Sequence, residues 1–173
     1  MKNSHMIVYR IVRKYKMFIP GETLLIPNYG YEDFSNNKKE IEMQLESVRQ
    51  KEFNNLPSRL NSLYVCHSES CANYWTTRIF GKKTVDYYLL HLRLENIEKI
   101  AWLDSDKYME YPCVEKDLPT ACKRYWNSAT AETFGLKDEY EGLFVGDAII
   151  DSVTEMRHNT DGSNSRIDNY FLG

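Results

Sequence analysis

The sequence predicts an α+β fold, with a mixed or split β-sheet and helices packed against it. Predicted helices fall early in the chain and predicted strands dominate its later part, which is typical of α+β proteins. The 173 residues suffice for one domain with a sizeable core. The composition, 42% hydrophobic and 27% charged, is typical of a globular protein. We therefore expect residues 1–173 to form a single domain, with a core over residues 6–157 and a polar tail over residues 158–173.

The first predicted element is a strand and the second a helix. Residues 7–12 form a β-branched run with Arg10 in its middle, which is typical of a strand. Ser35 or Asn36 can cap the helix that follows. Glu and Lys residues are expected on the outer side of this helix. Its apolar positions have helical spacing and are Ile41, Leu45 and Val48.

The middle of the chain predicts a strand, a helix and a second strand. Residues 62–66 favour a short strand, and Ser68 is a good N-cap for a helix that ends at Gly81. The apolar face of this helix is expected to carry Cys71, Trp75 and Ile79. Residues 84–94 are apolar on both alternating faces, which indicates a central strand.

The last third predicts short strands around one more helix. Residues 99–103 form a strand candidate that runs into a charged turn at residues 104–106. Asp117 precedes a helix with proline in its first turn. Two short strands are predicted on either side of Gly146 and Asp147.

Composition and motifs exclude several function classes. The net charge of −3 argues against a dedicated nucleic-acid binder. No apolar run reaches about 18 residues, so no membrane span is expected, and no signal-peptide pattern opens the chain. We expect a cytoplasmic protein with reduced thiols. No CxxC pair and no second zinc-ligand pair is present, so no metal site is expected. The sequence also has no glycine-rich phosphate-binding motif.

Three places in the chain carry residues suited to chemistry. They are Arg10 in VYRIV, Ser62 in SRLNSLYV, and Glu139 with Glu141 in EYEGLFV. Their order, with a serine-bearing strand that leads straight into a capped helix, resembles the ADP-ribosyltransferase fold in its arginine–serine–glutamate version. The resemblance spans residues 6–151. It implies a split mixed β-sheet core flanked by helices.

The serine motif departs from the pattern of that version. The usual Ser-Thr-Ser is reduced here to Ser62-Leu63-Tyr64. Tyr64 could instead take the place of the stacking tyrosine of the His-Tyr-Glu version, with Arg10 or Tyr9 standing where histidine is expected. We favour the arginine version.

The resemblance implies cleavage of the nicotinamide–ribose bond of NAD, with a role for each matching residue. Glu141 would bind the ribose 2′-hydroxyl and face the oxocarbenium-like positive charge. Glu139 would orient or deprotonate an acceptor. Arg10 would bind phosphate, Ser62 would fix the ribose or the nicotinamide amide, and Tyr64 would face the cofactor.

The predicted function is NAD-dependent transfer of ADP-ribose to a protein or nucleic-acid acceptor, by an enzyme of the glycosyltransferase class. The resemblance implies a bacterial, phage or toxin-like setting, and arginine as a common acceptor for an E-x-E motif. One alternative is an NAD glycohydrolase or a catalytically silent NAD-binding relic. Another is a non-enzymatic protein-binding module that uses the tyrosine-rich early loop and the acidic surface. The transferase and the NAD-binding alternative both predict that NAD stabilises the protein against heat, whereas the protein-binding module does not.

Overall fold

The fold is α+β, with an antiparallel sheet flanked by helices. A computed structural model describes residues 5–109 and 117–167, except the side chains at positions 37, 108 and 109. The predicted class is confirmed. The strands are β1 Met6–Arg13, β2 Thr23–Leu24, β3 Leu63–Val65, β4 Val85–Asp104, β5 Tyr140–His158 and β6 Asn164–Arg166. The helices are α1 Asn36–Glu52, α2 Glu69–Phe80, α3 Asp106–Met109 and α4 Leu118–Asn127.

The chain divides into two compact units. Unit 1 comprises Met1–Leu24, Val65–Glu95 and Asp147–Gly173, and unit 2 comprises Leu25–Tyr64 and Asn96–Gly146. Strands β4 and β5 therefore contribute residues to both units.

Unit 1 contains the antiparallel pairing of β1 with the first part of β4. The register runs from Met6 opposite Leu94 to Arg13 opposite Tyr87. The strand order is β1-β4-β5-β2, and β6 also pairs with β5. Helix α2 packs on this sheet through a buried cluster. Its residues are Cys66, Cys71, Ala72, Phe80, Tyr87 and Leu89.

Unit 2 has its own buried cluster between α1, α4 and two strands. The indole nitrogen of Trp126 donates a hydrogen bond to the carbonyl of Leu45 at 2.9 Å, which joins α4 to α1. The burial of apolar side chains in such a cluster is the main stabilising term in folding. The cluster consists of Leu45, Val48, Ala101, Leu103, Cys122, Tyr125, Trp126 and Leu143.

Strands β4 and β5 are much longer than the sequence predicted. Residues 85–94 of the first predicted strand and residues 99–103 of the second belong to one strand of 20 residues. The two strands predicted around Gly146 are one strand of 19 residues. Asn96 (φ 45°) and Gly146 (φ 147°) adopt positive φ within these strands, so the chain changes direction locally while the strand continues. The predicted strand breaks are therefore wrong.

The capping residues of α2 were predicted correctly. Ser68 Oγ accepts a hydrogen bond from the amide of Cys71 at 3.0 Å, and Gly81 ends the helix with φ 60°. The predicted apolar face is wrong at Ile79, which is 49% exposed. In α1, Ser35 occupies the N-cap position, but its side chain makes no capping hydrogen bond.

The start of the predicted polar tail is ordered structure. His158 is fully buried, and its ring nitrogens lie 3.0 Å from Asn164 Oδ1 and 2.9 Å from the carbonyl of Gly81. Strand β6 follows. Residues 168–173 of the predicted tail lie outside the described residues. No described helix has the length and apolar character needed to cross a membrane.

Candidate functional site

Glu141, at the start of β5, lies in a buried polar cluster of unit 2. It is 8% exposed. Its Oε1 accepts a hydrogen bond from the Tyr125 hydroxyl at 2.7 Å and pairs with Nη1 of Arg59. These two hydrogen bonds fall on the same carboxylate oxygen. This carboxylate is held in one position by two donors.

Arg59 links Glu141 to a second carboxylate. It lies on the short 3-10 helix Arg59–Asn61 that precedes β3 and is 7% exposed. Its Nε donates to Glu42 Oε2 and its Nη2 donates to Glu42 Oε1, both at 2.9 Å. Its Nη1 also donates to the Tyr125 hydroxyl at 2.8 Å. One guanidinium therefore serves two carboxylates, from α1 and from β5.

The wider cluster carries an excess of negative charge. Glu46, one turn beyond Glu42 on α1, pairs with Arg49 at 2.8 Å and accepts a hydrogen bond from Ser58 at 2.9 Å. Counting these groups gives three carboxylates against two guanidinium groups. The pKa of Tyr31 is raised, first by burial and then by the negative charges of Glu46 and Glu42. Buried carboxylates of this kind require both countercharge and hydrogen bonds.

The burial of Glu42 and Glu46 corrects the expectation for α1. Glutamates were expected on the outer side of this helix, but these two are 6% and 7% exposed. They lie one position after Ile41 and Leu45, at the edge of the apolar stripe. The pairing of Glu42 with buried Arg59 and of Glu46 with half-buried Arg49 allows this edge of the helix to face inward.

Ser62 and Tyr64 both contact the backbone of the segment that carries Arg59. The Ser62 side chain is fully buried, and its hydroxyl donates to the carbonyl of Ser58 at 2.5 Å. The Tyr64 hydroxyl donates to the carbonyl of Arg59 at 3.1 Å. The Arg59 guanidinium also lies 5.2 Å from the centre of the Tyr64 ring. These two residues therefore fix the position of Arg59.

Glu139 lies just before β5 and is more exposed than Glu141. The strand begins at Tyr140, so Glu141 lies within β5 and Glu139 does not. The carbonyl of Glu139 accepts a hydrogen bond from Ser105 at 2.8 Å. Burial raises the pKa of nearby Asp104, and the charge of Glu139 adds to this rise.

Arg10 lies in unit 1, in the middle of β1. It is opposite Leu90 of β4 and half-buried. Residues two apart on a strand share a face, so Arg10 shares its face with Val8 and Val12. The structure thus gathers Ser62, Tyr64 and Glu141 around Arg59 in unit 2, and it places Arg10 in the other unit.

Sequence reasoning missed Arg59, Glu42 and Tyr125. Arg59 stands inside the quoted SRLNSLYV segment, and a charged residue beside a predicted buried strand was the available signal. Tyr125 lies in α4, and nothing in that segment shows that its hydroxyl meets Arg59. The pairing of these residues depends on tertiary contacts between positions up to 82 residues apart.

Comparison with known proteins gives one family match. A family model described as a protein of unknown function (DUF2441) matches residues 11–156. The matched region contains the whole polar cluster around Arg59 and Glu141, whereas Arg10 precedes it. No curated protein matches the chain.

Proposed function

The chain belongs to the DUF2441 family, and we propose that it is an NAD-dependent ADP-ribosyltransferase with an ADP-ribosyltransferase-like fold. The observation that carries the proposal is the carboxylate of Glu141. It is buried and held by Arg59 and Tyr125. It also stands at the head of a long late strand, where the resemblance to this enzyme class requires a glutamate.

A carboxylate held in this way suits the chemistry of NAD cleavage. The bond between ribose C1′ and the nicotinamide nitrogen breaks, and its electron pair leaves with nicotinamide, which becomes neutral. Positive charge then develops on the ribose. A preorganised carboxylate stabilises that charge without having to reorganise during the reaction. Glu141 supplies this carboxylate, and its second oxygen binds the ribose 2′-hydroxyl.

The contacts with Arg59 and Tyr125 add a positioning role to this proposal. A catalytic group must be held close to its productive geometry. Arg59 and Tyr125 both direct hydrogen-bond donors at Oε1 of Glu141. Within the proposal they are positioning residues. Ser62 and Tyr64 act through them, because both bind the backbone of the Arg59 segment.

Glu139 and Arg10 complete the proposal. Glu139 is half-buried and lies two residues before Glu141, so it takes the proton from the acceptor group that attacks ribose C1′. The phosphate-binding role of Arg10 stays a prediction from its guanidinium, because Arg10 belongs to unit 1. The acceptor is a protein or a nucleic acid. If water takes its place, the same site acts as an NAD glycohydrolase.

The proposal is tested with NAD that carries a radioactive adenylate phosphate. The protein is incubated with this NAD and cell extract, and label is followed into macromolecules before and after protease or nuclease treatment. We expect wild-type protein to transfer label, and the enzyme that releases the label identifies the acceptor class. Glu139→Gln is expected to abolish transfer while nicotinamide release continues.

The control for this assay is Glu40→Gln, which makes the same chemical change at an exposed position of α1. It should transfer label like the wild type. Absence of both label transfer and nicotinamide release in wild-type protein contradicts the proposal. Binding of NAD without cleavage, measured as a rise in melting temperature, identifies the silent NAD-binding alternative.

A further inference from the structure

A cavity of about 520 Å³ opens on unit 1. This volume lies in the range of sites that take small molecules. Its walls combine residues from the β1–β2 connection, β4, β5 and β6. The lining includes Phe18, Tyr88, Glu155 and Arg166.

One wall of the cavity is aromatic. The rings of Phe18 and Tyr88 lie 6.1 Å apart and meet edge to face. Tyr15 adds a third ring, 5.9 Å from Phe18. Tyr15 and the lining residue Met17 are 72% and 80% exposed. Phe18 itself is only 8% exposed and Tyr88 is half-buried, so these two rings form the inner wall and exposed Met17 extends the apolar surface outward.

Three cationic side chains lie beside the aromatic wall or in the cavity lining. The Lys14 ammonium lies 5.3 Å from the Tyr88 ring and the Lys16 ammonium 5.0 Å from the Phe18 ring. Arg166 lies in the lining itself. Glu155 also lines the cavity, and it is paired with Lys14 at 3.0 Å. Arg166 and Glu155 thus line the cavity, and two lysines lie beside its aromatic wall, in a chain whose net charge is −3.

Two of these cations are available for a ligand. Lys16 and Arg166 have no acidic partner within ion-pair distance among residues 5–109 and 117–167. Lys14 remains charged in the pair, because its hydrogen bond to Glu155 raises its pKa. A purely apolar ligand would leave these cations unused, and a small inorganic anion would leave the aromatic wall unused.

We propose that this cavity binds a phosphorylated nucleoside. Its phosphate pairs with Arg166 and Lys16, and its base packs against Phe18 and Tyr88. Arginine binds phosphate in a two-pronged geometry, and aromatic side chains bind bases of any sequence by stacking. The ligand is either a free nucleotide or one residue of a single-stranded nucleic acid, since both present the same group.

Binding is measured by fluorescence anisotropy with a labelled single-stranded oligonucleotide, and separately by calorimetry with AMP. Arg166→Gln is expected to weaken binding about tenfold or more, because it removes a charged hydrogen-bond donor. Because Arg166 is exposed, we expect this variant to fold like the wild type, and thermal unfolding checks that it does. Phe18→Leu is the second variant, and it is expected to weaken binding by removing a ring.

The matched control is Lys82→Gln, an exposed lysine of unit 1 outside the cavity lining. It changes the net charge by the same amount as Arg166→Gln, and it should leave affinity within about twofold. The slope of affinity against salt should fall by about one in Arg166→Gln for the oligonucleotide.

The two ligand sources give different outcomes. Tighter binding of the oligonucleotide than of AMP identifies a nucleic-acid partner, and equal binding identifies a free nucleotide. Failure of both probes to bind overturns the inference. So does an equal loss of affinity in Arg166→Gln and Lys82→Gln, since binding would then follow net charge alone.

The inference stands apart from the proposed function, because none of the cavity residues takes part in NAD cleavage. Glu40→Gln, which changes neither site, is expected to bind both probes like the wild type. A protein that binds the probes but does not cleave NAD supports the cavity and contradicts the transferase proposal. A protein that cleaves NAD but binds neither probe supports the transferase proposal and contradicts the cavity proposal.

Discussion

Arg59 and Glu141 are 82 positions apart in the sequence, and they form an ion pair whose side chains are only 8% and 11% exposed. Arg59 also holds Glu42 through two nitrogen atoms. A single buried cation therefore compensates two buried carboxylates. The stability of unit 2 and the position of Glu141 both depend on this guanidinium.

Replacement of Arg59 by methionine should strongly destabilise the protein. Glu42 and Glu141 would stay buried without their cation, and breaking a buried pair in this way costs about 3–5 kcal/mol. The free energy of unfolding is measured by urea titration. The control is Arg124→Met on the exposed side of α4, which should change it by less than about 0.5 kcal/mol. Equal effects of the two variants would refute the central place of Arg59.

Tyr125→Phe should weaken the same cluster by a smaller amount. The hydroxyl accepts from Arg59 and donates to Glu141, so its loss leaves a buried acceptor without one donor. We expect a loss of about 1–3 kcal/mol in the free energy of unfolding. In a Glu141→Gln background the effect should differ, because residues in contact are coupled. Strict additivity of the two changes would show that the hydroxyl acts elsewhere.

Gly146→Ala should destabilise the protein through the backbone of β5. Gly146 has φ 147°, and an added Cβ would lie 2.6 Å from the carbonyl oxygen of Asn96. The backbone conformation alone costs a residue with a side chain about 1–3 kcal/mol. Gly30→Ala is the control, because Gly30 has φ −91° and its nearest neighbour would lie 3.8 Å away. Equal melting temperatures for the two variants would contradict the constraint.

The pH dependence of stability should involve Glu46. Burial by itself raises the pKa of Glu46, but hydrogen bonds from Arg49 and Ser58 outweigh it and lower the pKa overall. A lowered pKa in the folded state gives stability that is present above the unfolded value, about 4.3, and lost as the pH falls through the folded value.

Glu46→Gln should therefore lose less free energy of unfolding than the wild type between about pH 5 and pH 3. Urea titrations at several pH values measure this slope. Glu40→Gln, at an exposed position of the same helix, should keep the wild-type slope. A Glu46→Gln slope as steep as that of the wild type would show that this carboxylate is not linked to acid unfolding.

Local signals were enough to predict several elements. The β-branched run of β1, the Ser68 cap and the Gly81 terminus of α2, and the Asp117 cap of α4 each act within a few residues. Such features can be read without knowledge of distant contacts.

Features that depend on distant parts of the chain were not predicted. Gly146 was interpreted as a point between two short strands, yet it lies with positive φ within one continuous strand, close to the backbone of Asn96. Glu42 and Glu46 were interpreted as outer residues. Glu46 pairs with Arg49 of the same helix, but Glu42 pairs with Arg59, which lies outside α1 and which no pattern within the helix shows. The candidate Glu141 was named from sequence, but the side chains that hold it were not.

Release of nicotinamide from NAD by purified protein tests the central claim most directly. Wild-type protein, Glu141→Gln and Glu40→Gln are compared at saturating NAD, after thermal unfolding has shown that each is folded. We expect release by wild type and Glu40→Gln, and a rate lower by about 10²-fold or more in Glu141→Gln, because one charge-stabilising group is lost. No release by wild-type protein, or equal rates in all three, would contradict the account.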